Sequence, residues 1–104
     1  MGEKFMDQYS LLHFAVGIVV YFWGISIANW IIIHMIFEWV ENTPYGMMVI
    51  NKYLKGIWPG GKNYSDSLIN IIGDNIFAGI GWAVAYYNDQ MGQKYNWFQP
   101  HIKI

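Results

Sequence analysis

From Gln8 to Phe37 the chain contains no lysine, arginine, aspartate or glutamate. One helix from Asp7 to Asn42 would extend about 54 Å, against a hydrocarbon core near 30 Å. The alternative is a hairpin of two short arms, 7–23 and 26–42, broken at Trp23-Gly24-Ile25-Ser26, where Gly24 supplies the turn signal. Each arm is then about 25 Å long, at the short limit for a span. Polar residues favour the hairpin. It returns His13 and Glu38 to similar depth, whereas a single helix holds them about 37 Å apart. The hairpin is the expected arrangement.

Composition directs this pattern to a membrane. The chain is 55% hydrophobic and only 12% charged, less charge than a soluble domain of 104 residues carries. Its six Trp and eight Tyr gather near segment ends, as rings that favour the headgroup level do. A net charge of -1 without a basic stripe excludes nucleic acid as a partner. With no cysteine there is no disulfide, thiolate metal site or cysteine nucleophile. Arginine is also missing, so no bidentate fork is present to hold an anion. The N-terminal apolar run outlasts the core of a signal peptide and is read as retained structure.

The second apolar stretch, Ser65 to Trp82, carries Asp66, Asn70 and Asp74 at helical spacing, so on a helix they share one face. That face continues through Ala78, Gly81 and Ala85, residues small enough for another helix to lie close. Ile69, Ile72, Ile76, Phe77, Ile80 and Val84 form the opposite, lipid-suited face. A plainer reading has Asp66 and Ser67 capping the helix, with Asp74 alone inside. On the first arm Tyr9, His13 and Gly17 share a face; His13 taken alone reads as a core histidine bonded to backbone. On the second, His34, Glu38, Glu41 and Asn42 fall on one side, and Glu41 and Asn42 can simply end the helix before Thr43-Pro44.

Between these segments, 45–56 mixes apolar residues with Lys52 and Lys55 and suits a helix lying in the interface. Pro59, Gly60 and Gly61 supply turn chemistry before Ser65 or Asp66 as N-cap. The expected fold is therefore all-α: a small polytopic membrane protein, 1–104 as one domain. It comprises the hairpin, the interfacial helix, a third transmembrane helix over 65–87 and a polar tail over 88–104. Lys4, Lys52, Lys55 and Lys62 lie on the side of the polar residues, which the positive-inside rule puts toward the cytoplasm.

One membrane boundary then gathers His13, Glu38, Glu41, Asn42, Asp66, Asn70 and Asp74. The expected roles are His13, Glu38 and Asp74 as catalytic groups, His13 acting as acid or base, and Glu41, Asn42, Asp66 and Asn70 as binding groups. Glu38, Glu41, Asp66 and Asp74 cannot all stay ionised in a partly dry space unless something neutralises them. A divalent cation on oxygen ligands would do so, as would shared protons or an ammonium-bearing ligand.

FEWVENTP (Phe37 to Pro44), VINKY (Val49 to Tyr53) and DSLIN (Asp66 to Asn70), followed by Asp74 and Gly81-Trp82, resemble an uncharacterised family of small bacterial inner-membrane proteins. That domain of unknown function shows an aromatic-Glu-x-x-Glu-Asn-Ser/Thr-Pro run, then Asp-Ser-x-x-Asn and a further Asp. His13 with Gly17 resembles the histidine of its first helix. More distantly, the His, Glu and Asp-x-x-x-Asn pattern is similar to VanZ-like proteins, linked to glycopeptide resistance. The resemblance implies a compact helical membrane fold with these residues as its polar core, and implies no reaction. Three functions stay open. The site binds or acts on a lipid headgroup or lipid-linked substrate; the chain is a non-enzymatic structural or accessory subunit packing on other membrane protein subunits, or in a virion membrane; or it forms an oligomeric ion path.

Overall fold

In a computed structural model the described residues, 3–54, 56, 57, 62 and 64–97, form helices without a strand. The turn residues Pro59, Gly60 and Gly61, and the tail beyond Trp97, lie outside the described residues. The helices are α1 (Gln8–Phe22), α2 (Ile27–Glu41), α3 (Pro44–Tyr53) and α4 (Leu68–Lys94).

Each helix starts on a side-chain cap, because a short polar side chain satisfies backbone N–H groups that have no helical acceptor. Asp7 caps α1 in a reciprocal box: its carboxylate accepts from the Tyr9 N–H, and Ser10 Oγ accepts from the Asp7 N–H. Ser26 caps α2 and Thr43 caps α3, with Pro44 in the first helical turn. Between α1 and α2 the chain reverses over Trp23 to Ser26, with Gly24 at φ +81°, a left-handed conformation favourable to glycine.

The start of α4 differs from expectation. Its N-cap is Ser67, not Ser65 or Asp66. Asp66 stays outside the helix because its backbone N–H donates to Asn42 Oδ1 at 2.7 Å and its carboxylate binds Lys62 Nζ at 2.8 Å. The end of α4 differs too. The helix continues beyond Tyr87 to Lys94, through residues whose polarity reads as a tail. Asp89 is nevertheless buried, accepting hydrogen bonds from the Tyr21 hydroxyl and Gln93 Nε2. Partnered in this way, its carboxylate does not have to leave the helix for water.

Contacts along α1 and α4 show that the two run parallel: Asp7 lies near Asn70, His13 near Asp74 and Tyr21 near Asp89. α2 is antiparallel to both, so residues 3 and 97 sit at opposite ends of the bundle. The α1–α4 seam is a backbone contact. A Cβ on Gly17 would run into the Ala78 carbonyl, and a Cβ on Gly81 into the Phe14 carbonyl. Two indoles tie the hairpin to α4. Trp30 Nε1 donates to the Ala78 carbonyl at 2.9 Å, and Trp82 Nε1 donates to the Ile25 carbonyl at 2.8 Å.

The interior and exterior are inverted relative to a soluble domain. Ser10, His34, Glu38, Glu41, Asn70, Asp74 and Asp89 are buried, whereas Leu11, Val16, Ile32, Ile36, Ile72 and Ile80 are exposed. α4 is 27 residues, long and apolar enough to cross a membrane; α1 and α2 are 15 each.

Gly17→Ala and Gly81→Ala should each lower stability by about 1–3 kcal/mol or more, since overpacking here meets backbone rather than a side chain that can rotate. Gly79→Ala is the control, because its Cβ would meet only Ile31 Cδ1, at 3.2 Å. Thermal unfolding in detergent checks the contrast; equal effects at all three glycines would refute the close seam.

Candidate functional site

Three helices bring the polar residues together near one end of the bundle. α1 supplies His13, the last turns of α2 supply His34, Glu38 and Glu41, and α4 supplies Asp74 and Asn75. The α1–α4 seam places His13 Nε2 3.2 Å from Asp74 Oδ2, and the hairpin turn brings Glu38 Oε1 to 3.6 Å from the same nitrogen. Glu38 and Asp74 are almost fully buried, and His13 remains 14% exposed. The imidazole is therefore the member of this group that a molecule outside can reach.

Asn42 bridges two parts of the site. As the C-cap of α2 its Nδ2 donates to the Glu38 carbonyl at 2.7 Å, with a longer 3.4 Å contact to Glu38 Oε2. Its Oδ1 accepts from the Asp66 N–H, so one amide fixes both the end of α2 and the approach to α4. Asp66 consequently joins Glu38 and Asp74 from outside the helix: one carboxylate oxygen of each lies within 4.8 Å of the others. Lys62 neutralises Asp66 in part. Its backbone is held by Asn51, whose Oδ1 accepts from the Lys62 N–H at 2.7 Å.

Glu41 is buried and within side-chain hydrogen-bond reach of Glu38. Both carboxylates sit at the C-terminal end of α2, where the helix dipole disfavours negative charge by about 0.3–1 kcal/mol. The field there favours a cation.

Asn70 does a different job from the other expected site residues. Its Nδ2 donates to the Lys4 carbonyl at 2.7 Å and to Asp7 Oδ2 at 3.2 Å, so it fastens the segment before α1 to α4. Ser67 Oγ donates to the Glu3 carbonyl at 2.7 Å, and the Phe5 carbonyl lies against Gly73, extending the same strap.

Sequence reading put His34 on the face of Glu38 but left it out of the gathered site, and did not single out Asn75. His34 Nε2 lies 2.8 Å from His13 Nδ1, and His34 Nδ1 lies 2.7 Å from Asn75 Oδ1. The spacing of His34 four residues before Glu38 put it on the correct face, but nothing in the spacing pairs it with His13. Asn75, adjacent to Asp74, points about 100° away on an ideal helix and so reads as a separate face.

Neither Glu38 Oε1 nor Asp74 Oδ1 has a hydrogen-bond partner among the described residues, although both are buried. A buried polar atom left unpaired costs about 1–3 kcal/mol, more when charged. Glu38 Oε1 faces His13 Nε2, while Asp74 meets that nitrogen with Oδ2 and leaves Oδ1 unpartnered, an arrangement that marks a place for a proton, a cation or a cationic ligand. No protein family, curated protein or solved structure matches this chain.

Glu38→Gln and Asp74→Asn should be coupled by about 0.5–3 kcal/mol in a double-mutant cycle of thermal stability, as residues of one electrostatic centre are. Effects that add to within about 0.3 kcal/mol would show that the two carboxylates act separately.

Proposed function

We propose that the chain is a polytopic integral membrane protein in which α1, α2 and α4 span the bilayer, α3 lies at its surface, and the His13–Glu38–Asp74 centre binds a polar lipid headgroup or lipid-linked substrate from the cytoplasmic side. The observation that carries this reading is a set of unpartnered carboxylate oxygens beside a reachable histidine, inside a bundle whose exterior is apolar. A large exposed apolar surface marks an interaction with lipid or protein, and an ionisable residue within a membrane segment is a site by default. α1 and α2, each about 22 Å long, are short for a 30 Å core, which calls for local thinning or snorkelling of flanking groups.

The acidic balance sets what the site takes. Among the described residues Glu38, Glu41, Asp66 and Asp74 have one ion-paired lysine, Lys62, so a headgroup enters through its cationic or hydroxyl-bearing portion. His13 then stands where it can give a proton to, or take one from, that portion, which is the role an acid/base group in a transfer or hydrolysis reaction would have.

A second reading, an accessory subunit of a larger assembly, is favoured by a different surface. Ile80, Ala83, Val84, Tyr87, Met91 and Trp97, with Asn88 among them, line a shallow and mostly apolar surface along α4. A neighbouring helix or an acyl chain would fit it.

Two measurements test these proposals. Single cysteines at Glu3 and Trp97 should react with impermeant reagents from opposite sides of the membrane; labelling of both from one side rules out three spans. Native mass spectrometry of the protein released from lipid should show a retained lipid that is lost in His13→Ala. A lipid-free chain that instead carries other subunits, unaffected by His13→Ala, would establish the accessory reading.

A further inference from the structure

The hydrogen-bond direction through the two histidines can be traced from one amide. Asn75 Nδ2 donates to the Ile71 carbonyl at 3.0 Å, which leaves Oδ1 facing His34 Nδ1 at 2.7 Å. An amide oxygen only accepts, so His34 carries a proton on Nδ1. A neutral His34 then accepts at Nε2, and the hydrogen there is donated by His13 Nδ1 at 2.8 Å. In its neutral form His13 consequently turns a bare Nε2 lone pair toward Asp74 Oδ2 and Glu38 Oε1. Lone pairs meet lone pairs, with no hydrogen between them.

Two independent features point the same way. Glu38 Oε1 and Asp74 Oδ1 have no hydrogen-bond partner among the described residues, and the two residues are only 1% and 2% exposed. The formal charge is also unbalanced: even with one proton shared between Glu38 and Glu41, the carboxylates Glu38, Glu41, Asp66 and Asp74 exceed by two the one lysine ion-paired to them among the described residues, Lys62. An imidazolium at His13 would remove one of these; a dication removes two and needs the neutral histidine.

We propose that Glu38, Asp66 and Asp74, with His13 Nε2, bind a divalent first-row cation that accepts mixed imidazole and carboxylate ligands, such as Mn2+, Fe2+ or Zn2+. The chain has no cysteine to supply a thiolate, and a nitrogen ligand argues against a purely oxygen-liganded ion such as Ca2+. Bonds of about 2.0–2.2 Å put the ligand atoms of a tetrahedral site roughly 3.3–3.6 Å apart. The three carboxylate oxygens, within 4.8 Å of one another, would have to draw together by side-chain rotation to reach that. Lys62 holds Asp66 Oδ1, which leaves Oδ2 for the ion. The relay from His13 through His34 to Asn75 is the support a ligating histidine needs, since its other ring N–H goes to a fixed acceptor that sets tautomer and orientation. This inference rests on reading the cluster as a ligand site and not on which lipid occupies it; with the ion bound, His13 Nε2 is a ligand and takes no acid/base role.

The test uses the full chain in lipid nanodiscs, stripped with a chelator and titrated with Mn2+. One Mn2+ should bind per chain, be displaced by Zn2+, and show in pulsed electron paramagnetic resonance the 14N modulation of a directly bound imidazole. His13→Gln should keep weakened binding without that modulation. Asp74→Asn should abolish stoichiometric binding, and Asp89→Asn, at the far end of the bundle, should leave it unchanged. His34→Leu should weaken it about 10- to 100-fold, as loss of an outer-shell partner does. No stoichiometric Mn2+ or Zn2+ in the wild type, absence of the 14N modulation, or equal effects of Asp74→Asn and Asp89→Asn would each overturn the proposal. The wild-type spectrum decides the matter even where a variant fails to fold. Native mass spectra of the same samples separate the two readings: an ion without lipid keeps the metal site and discards the headgroup, and a lipid without an ion does the reverse.

Discussion

The backbone contact between α1 and α4 is the constraint on which the rest depends. Because Gly17 and Gly81 lack a Cβ, the helices approach until each meets a carbonyl of the other. Close parallel approach then aligns the residues one turn earlier, which is why His13 reaches Asp74. One turn after Gly17 the same alignment brings the Tyr21 ring against Trp82, 5.3 Å between centroids. In a lipid environment, where burying apolar surface gains nothing between helices, van der Waals packing of this kind and inter-helix hydrogen bonds supply the association. The indole bonds of Trp30 and Trp82 add the second element and bring α2 onto the same helix.

The two ends of the bundle treat buried charge differently. At one end Asp89 is answered by the Tyr21 hydroxyl and the Gln93 amide, both neutral donors within the protein. At the other, Glu38 and Asp74 keep oxygens that no donor among the described residues meets. Equal burial with unequal satisfaction separates a structural carboxylate from one held ready for something else. Asn42 sharpens the difference: it could have turned its amide fully to the Glu38 carboxylate, yet it is occupied by the Glu38 carbonyl and the Asp66 N–H.

Much of this was legible in the sequence, for physical reasons that are local. The small stripe Ala78, Gly81 and Ala85 is buried and the stripe Ile69, Ile72, Ile76, Ile80 and Val84 is exposed, because helical periodicity alone assigns faces. Phe77, assigned to lipid, is half-buried and packs on Phe5 instead, since the strap from Glu3 to Asp7 crosses α4 there. That strap depends on backbone carbonyls of Glu3 and Lys4, which carry no side-chain signal. The end of α4 was obscured for a similar reason: the partner that allows Asp89 to stay inside lies 68 residues away on α1. The His13–His34 pair requires the relative rotation of two helices, and periodicity within each helix does not contain it.

The His13–His34 and His34–Asn75 contacts help join α1, α2 and α4, but the carboxylates of the polar centre are not needed to hold the bundle together. The glycine seam and the indole bonds already fix α1, α2 and α4, and buried ion pairs can often be replaced by apolar residues of similar volume without loss of stability. On the proposed membrane-spanning reading, an acidic residue inside the bilayer would cost about 2.5–3.5 kcal/mol on insertion scales, a cost Glu38 and Asp74 would carry. Glu38 and Glu41 bear the further penalty of a helix C-terminus. An arrangement that costs stability, leaves its oxygens unpartnered and fixes the ring of its one reachable histidine through His34 and Asn75 has the properties of a preorganised site. Preorganisation of that kind gains free energy only when a ligand is bound, because the desolvation of the oxygens is then already complete and the incoming charge meets no reorganisation. On the proposed reading, the polar interior of this protein answers to a ligand rather than to packing.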